Sequence, residues 1–122
     1  DALFVYNNKV ILSNGKTIKK DNYKLPTLYG DMDEEILNKL VVKIKKVDKN
    51  ILNRISEIEY APNDVDEERF FMLMNDGNYV YITLYKISSI NDYIKILSKF
   101  DDKSKKGILY LDSGNYFEIF KD

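Results

Sequence analysis

The chain has 122 residues, 19 Lys+Arg against 20 Asp+Glu, a net charge of −1, and no His, Cys or Trp. That length suits one domain with a core of its own, and the absences exclude His-based triads, zinc sites of the usual His/Cys kind, thiolate nucleophiles and disulfides. The balanced charge makes no case for nucleic acid or acidic lipid, Arg occurs only at Arg54 and Arg69, and no run approaches the roughly 20 apolar residues that cross a bilayer.

The opening Asp1-Ala2-Leu3-Phe4 has neither an initiator Met nor a signal-peptide pattern and reads as the start of a fragment of something longer. Leu3–Tyr6 and Val10–Leu12 flank Asn7-Asn8, two residues that tolerate the positive φ of a tight hairpin, and Asn14-Gly15 predicts a second hairpin into Lys16-Thr17-Ile18. A polar run, Lys19-Lys20-Asp21-Asn22, leads to Leu25-Pro26, where the proline keeps its predecessor extended. After Gly30, Asp31 and Glu34 stand at capping-box spacing, and Ile36, Leu37, Leu40, Val41 and Ile44 fall on one helical face. Val47, Ile51, Leu52, Ile55 and Ile58 nearly continue that stripe, with Asp48 placed to cap a second short helix.

Ile58–Ala61 reads as a strand ending at Pro62, followed by the acidic connector Asn63–Glu68. A hairpin then runs from Arg69–Met74 through Asn75-Asp76-Gly77-Asn78 to Tyr79–Tyr85, with Val80, Ile82 and Leu84 on one face and Tyr79, Tyr81, Thr83 and Tyr85 on the other. Ser89 to Asp92 is another capping-box pattern, opening a helix whose Ile90, Tyr93, Ile94, Leu97 and Phe100 share a face. The charged loop Asp101–Gly107 precedes Ile108–Leu111, a break at Asp112-Ser113-Gly114, and Tyr116–Phe120. This order predicts an α+β class: residues 1–122 as a single domain, a mostly antiparallel or mixed β-sheet, and about three helices packed on one face.

Chemistry is sparse. Asp64, Asp66, Glu67 and Glu68 lack the Gly-punctuated spacing of a calcium loop and read as a solvated connector. Lys43, Lys45, Lys46 and Lys49 form the polar side of a helix, and Lys103, Lys105 and Lys106 a short basic loop. Ser88, Ser89 and Ser113 sit in cap and turn positions, not in a nucleophile elbow. A hydrolase resting on Asp/Glu pairs is the weakest reading, and no metal, cofactor or catalytic residue is assigned. The ten Tyr are less easily explained. They suit a protein interface, and the row Tyr79, Tyr81, Tyr85 could also stack on sugar rings, which makes a peptidoglycan-binding module the alternative reading.

The last strand carries the leading reading. Reached after a Gly break, it should lie at a sheet edge, offering unpaired N–H and C=O groups to another chain. Tyr116, Glu118 and Phe120 alternate with Phe117 and Ile119, which is apolar for an edge and suits recognition by strand addition.

These residues also carry a resemblance. Leu25-Pro26-Thr27-Leu28-Tyr29-Gly30 before an amphipathic helix resembles the Leu-Pro-x-Leu-x-Gly element of bacterial FtsQ/DivIB cell-division proteins. The likeness continues through Ile55-Ser56-Glu57-Ile58, the Met74-Asn75-Asp76-Gly77 hairpin and Asp112-Ser113-Gly114, from about Leu25 to Phe120, and the Lys-, Asn- and Ile-rich composition is similar to the Gram-positive DivIB branch. The resemblance implies the β domain of a single-pass membrane protein whose membrane helix and POTRA domain are absent here. It implies an extracytoplasmic place at the division septum, a scaffolding role without enzymatic activity, and the partners FtsL and DivIC (FtsB in Gram-negative relatives). Carried over from Asp112-Ser113-Gly114, the positions matching the family's partner-binding strands are Tyr110, Leu111, Ser113, Gly114, Phe117 and Ile119; strand alternation adds Tyr116 and Phe120. Asn115, Tyr116 and Phe117 follow the glycine where the Gram-negative branch has small residues and a Trp, and Ile119 stands near the Trp position, so side-chain pockets are expected to differ.

Overall fold

Alternating apolar residues, cut by turns that demand positive φ, produce a sheet here. The computed structural model describes residues 2–19, 24–100 and 105–120. Within them β1 (Ala2–Tyr6), β2 (Lys9–Leu12), β3 (Thr17–Lys19), β4 (Thr27–Tyr29), β5 (Ile55–Tyr60), β6 (Arg69–Met74), β7 (Tyr79–Thr83), β8 (Gly107–Tyr110) and β9 (Tyr116–Ile119) form one sheet in the order β3-β2-β1-β4-β5-β6-β7-β8-β9. The β1–β4, β4–β5 and β7–β8 pairs are parallel and the others antiparallel, so the sheet is mixed. The parallel connections from β4 and β7 pass through helices, the usual form of such a crossover, whereas that from β1 to β4 runs through β2 and β3.

The predicted hairpins form where turn chemistry placed them. Asn7 and Asn8 take φ of 51° and 64° between β1 and β2, and the Gly77 amide donates to the Met74 carbonyl at 3.1 Å in the β6–β7 turn. Helix α1 (Glu34–Ile44) buries Ile36, Leu40, Val41 and Ile44 against the sheet, each such side chain contributing on the order of 1.5–3 kcal/mol. Helix α2 (Lys49–Leu52) follows Asp48, whose side chain makes no cap bond. Instead the Asp48 amide donates to Asn91 Oδ1 at 2.7 Å, while Asn91 Nδ2 donates to the Lys46 carbonyl at 2.9 Å, stitching this corner to the segment before α3. Phe4, Ile58, Phe70, Met72, Val80, Ile82 and Leu109 line the helix-covered face and are fully buried.

Four expectations are corrected. Ile55 and Ile58 do not continue the helical stripe but lie in β5, which starts at Ile55. The cap of α1 is Asp33, not Asp31: its Oδ1 accepts the Ile36 amide at 2.9 Å. β7 ends at Thr83, which is buried, and Tyr85 lies in the 3₁₀ helix Leu84–Asp92 that follows. The helix expected to open at Ser89 is this 3₁₀ segment continued by a short α3 (Tyr93–Leu97), and the Ser89 hydroxyl has no partner among the described residues. The polar run at residues 20–22 and the acidic start of the 101–107 loop, with Lys103, lie outside the described residues.

Candidate functional site

β9 ends the sheet. Among the described residues it pairs with β8 alone, antiparallel, Gly107 opposite Ile119, Ile108 opposite Glu118, Leu109 opposite Phe117 and Tyr110 opposite Tyr116. The Phe120 amide donates to the Lys106 carbonyl at 3.0 Å. Antiparallel partners exchange both bonds at every second pair, so Glu118 and Tyr116 also bond inward, to β8. The N–H and C=O groups of Phe117 and Ile119 therefore point away from β8, to the open side.

Gly107 brings β9 this close. A Cβ at that position would run into the Glu118 carbonyl and lie 2.9 Å from Ile119 Cα. A buried polar network fixes the start of β8 from the other side: the Gly107 amide donates to Asn78 Oδ1 at 2.9 Å, Asn78 Nδ2 donates to the Tyr93 hydroxyl at 3.1 Å, and that hydroxyl donates to Asp76 Oδ2 at 2.7 Å. Gly114, at φ 119°, supplies the left-handed backbone of the β8–β9 connection.

The two faces beside this edge differ. On the helix side Phe117 packs on Phe100 with ring centroids 5.4 Å apart, and a cleft of ≈ 250 Å³ lies between α3 and β9, lined by Ile94, Leu97, Phe100, Lys105, Lys106 and Phe117 among others. On the uncovered side the registers make two cross-strand rows. One runs Glu59, Phe71, Tyr81, Tyr110, Tyr116, and the other Glu57, Leu73, Tyr79, Ile108, Glu118. Phe71 stacks on Tyr79 at 4.8 Å and Tyr81 on Tyr110 at 5.6 Å, Tyr110 meets Tyr116 at 5.7 Å, and Phe120 meets Tyr79 edge-on at 5.5 Å. The Tyr110 hydroxyl donates to Glu118 Oε1 at 3.3 Å; burial, then the Glu118 charge, hold it above the ordinary phenol range.

The structure brings Tyr110, Tyr116, Phe117, Ile119 and Phe120 together at the edge, with Tyr116 56% and Phe120 41% exposed. Ser113 and Gly114 are exposed in the turn, whereas Leu111 is 2% exposed and faces the core. Tyr79 and Tyr81 share the uncovered face, and Tyr85 stands apart on the 3₁₀ helix with Lys86 Nζ 5.6 Å from its ring. Sequence reasoning did not single out Gly107, Phe71 or the α3 residues beside β9. A lone Gly at the start of an apolar strand is the one signal available, since it marks close backbone approach.

No family model matches the chain. It is 26% identical over 122 residues to the cell division protein DivIB of Geobacillus kaustophilus, covering 93% of this chain and 47% of that protein. DivIB of Bacillus anthracis is 30% identical over 110 residues, covering 87% and 42%, and DivIB of Listeria monocytogenes 31% over 85 residues, covering 69% and 31%. The chain thus spans less than half the length of the curated relatives it matches. Among solved structures, the major extracytoplasmic domain of the trans isomer of DivIB from Geobacillus stearothermophilus superposes with a TM-score of 0.64 at 22% identity, over 75% of this chain and 85% of that one, a likeness of fold. With the motif order from Leu25-Pro26 to Asp112-Ser113-Gly114, these relatives show that the chain belongs to the FtsQ/DivIB family of bacterial cell-division proteins.

Proposed function

We propose that this chain is the extracytoplasmic β domain of a single-pass membrane protein at the division septum, and that it works there as a non-catalytic interaction module. An extended segment of an FtsL- or DivIC-type (FtsB-like) partner adds to β9 as a further strand. The outward-facing backbone of Phe117 and Ile119 at the end of the sheet carries this reading. Partner side chains of one parity then lie over Phe117, Ile119 and the α3 cleft, and those of the other beside Tyr116, Glu118 and Phe120.

Proline at either position removes an outward donor while sparing the bonds that Tyr116, Glu118 and Phe120 make to β8. Phe117→Pro and Ile119→Pro are each expected to keep the circular dichroism spectrum and to weaken binding of the DivIC extracytoplasmic region about tenfold or more, since a lost bond and a disturbed strand together exceed ~1.4 kcal/mol. Undiminished binding by both variants overturns the strand assignment. The alternative ligand, peptidoglycan, draws on Tyr79 and Tyr81 lying together against Phe71; salt-insensitive sedimentation with purified peptidoglycan, lost in a Tyr79/Tyr81/Tyr85 triple Ala variant, is its signature.

A further inference from the structure

The helices cover one face of the sheet, and among the described residues nothing covers the aromatic rows on the other. Their charge is lopsided. On strands β5 to β9 the residues of this face carry the carboxylates Glu57, Glu59 and Glu118 and a single cation, Arg69. Arg69 is already engaged: its guanidinium carbon lies 4.2 Å from the centroid of the Tyr81 ring and its Nη1 3.9 Å from Asp112 Oδ2. The Glu57 and Glu59 carboxylates have neither a hydrogen bond nor an ion pair to the described residues. They flank a cleft of ≈ 280 Å³ whose other walls are Phe71, Leu73 and Tyr79.

An aromatic face bordered by carboxylates attracts an ammonium or guanidinium group twice, through the ring quadrupole and through the opposite charge. Arg69 on Tyr81 shows this same face holding a cation in that way. A neutral sugar would use the rings but gain little from the bordering charges. We propose that the uncovered face of β5–β9 is a second docking surface, which takes an extended Lys- or Arg-bearing segment of a partner polypeptide with its cationic heads between Glu57, Glu59 and the rings of Phe71 and Tyr79. Such a segment crossing the sheet meets a new side chain at each strand, about every 4.8 Å. The surface is separate from the backbone of Phe117 and Ile119, so it stands whether or not β9 receives a strand.

The test uses the whole chain, an alternating Lys/Thr peptide about ten residues long, its Glu/Thr counterpart, and chitohexaose as a neutral sugar probe. Binding is read by tyrosine fluorescence and by amide shifts on β5–β9. The Lys/Thr peptide is expected to bind, the Glu/Thr peptide not to, and salt of about 0.5 M to weaken the complex strongly. A Glu57→Gln/Glu59→Gln double variant, altered only at exposed positions, should bind about five- to tenfold more weakly, and Tyr79→Leu also more weakly. Phe117→Pro, which disturbs β9 and none of Glu57, Glu59, Phe71 and Tyr79, should weaken this binding less than the Gln double variant does, which separates it from strand addition at the edge. Equal binding of the Lys/Thr peptide by wild type and the Gln variant overturns the proposal, as does no binding at all. Chitohexaose binding that ignores the Gln changes but falls with Tyr79→Leu assigns the face to carbohydrate instead.

Discussion

At the scale of single residues, Tyr93 shows how one hydroxyl joins three elements. It lies at the start of α3, accepts from Asn78 and donates to Asp76 in the β6–β7 turn, and Asn78 in turn receives the Gly107 amide of β8. The sequence shows Tyr93 only as one apolar position of a helical stripe, because its polar partners lie 15 and 17 residues away and meet it only in the folded chain. Tyr93→Phe strands two polar groups, one of them buried, and should cost about 1–2 kcal/mol in chemical denaturation. Burial first, and the hydrogen bond to Asp76 second, push the Tyr93 phenol well above its usual 10.0. A folded-state value raised above the unfolded one gives stability that is complete below the unfolded value and is lost as pH rises toward the folded one. The melting temperature should therefore be flat between about pH 7 and pH 9 and fall above about pH 10. Tyr93→Phe should fall less steeply; Tyr60 and Tyr110, also raised chiefly by burial, keep its slope from vanishing. Identical slopes in wild type and variant would show that Tyr93 ionisation is not linked to folding.

At the scale of elements, the edge strand depends on one missing side chain. Gly107→Ala forces a methyl group against the Glu118 carbonyl, and overpacking of this kind costs about 1–3 kcal/mol. The expected result is a domain that keeps its β4–β7 amide protection in hydrogen exchange while β9 amides lose theirs and the proposed binding of a DivIC-type partner weakens. Unchanged β9 protection would mean that the strand accommodates the methyl group. Hairpins were legible because Asn7-Asn8, Asn14-Gly15 and Asp76-Gly77 state a local demand for positive φ. Helix α1 was legible from its 3.6-residue stripe, although the cap moved from Asp31 to Asp33, within the usual blur of helix ends. In the 3₁₀ segment the sequence reads Leu84 and Tyr85 as strand and Ser89–Asp92 as the opening of a helix, yet Leu84, Ile87, Ile90 and Tyr93 recur every third residue, the period of a 3₁₀ turn, and all four are buried. The uncovered aromatic face was half legible: Tyr79 and Tyr81 follow from alternation, but Phe71, Tyr110 and Glu57 join them only through inter-strand register, which no local pattern encodes.

At the scale of the whole molecule, the sheet has two ends, and they are built differently. β3, at one end, has three exposed residues with Lys16 and Lys19 on its borders, the short and charged form that discourages pairing. β9, at the other, carries Tyr116, Phe117, Ile119 and nearby Phe120 around a single charge, Glu118. Strand addition should therefore be directional, using one end of the sheet and not the other. Hydrogen exchange on the intact chain reads this out amide by amide. Without a partner, the Glu118 and Phe120 amides are shielded by β8, whereas those of Phe117 and Ile119 face outward and should exchange about as fast as exposed loop amides. With the DivIC extracytoplasmic region bound, exchange at Phe117 and Ile119 should slow about tenfold or more, while Thr17, Ile18 and Lys19 keep their rates. Protection that appears on β3, or that fails to appear at Phe117 and Ile119 when the partner is bound, would move the interface away from β9, because an added strand has no other way to satisfy those two outward-facing backbone positions.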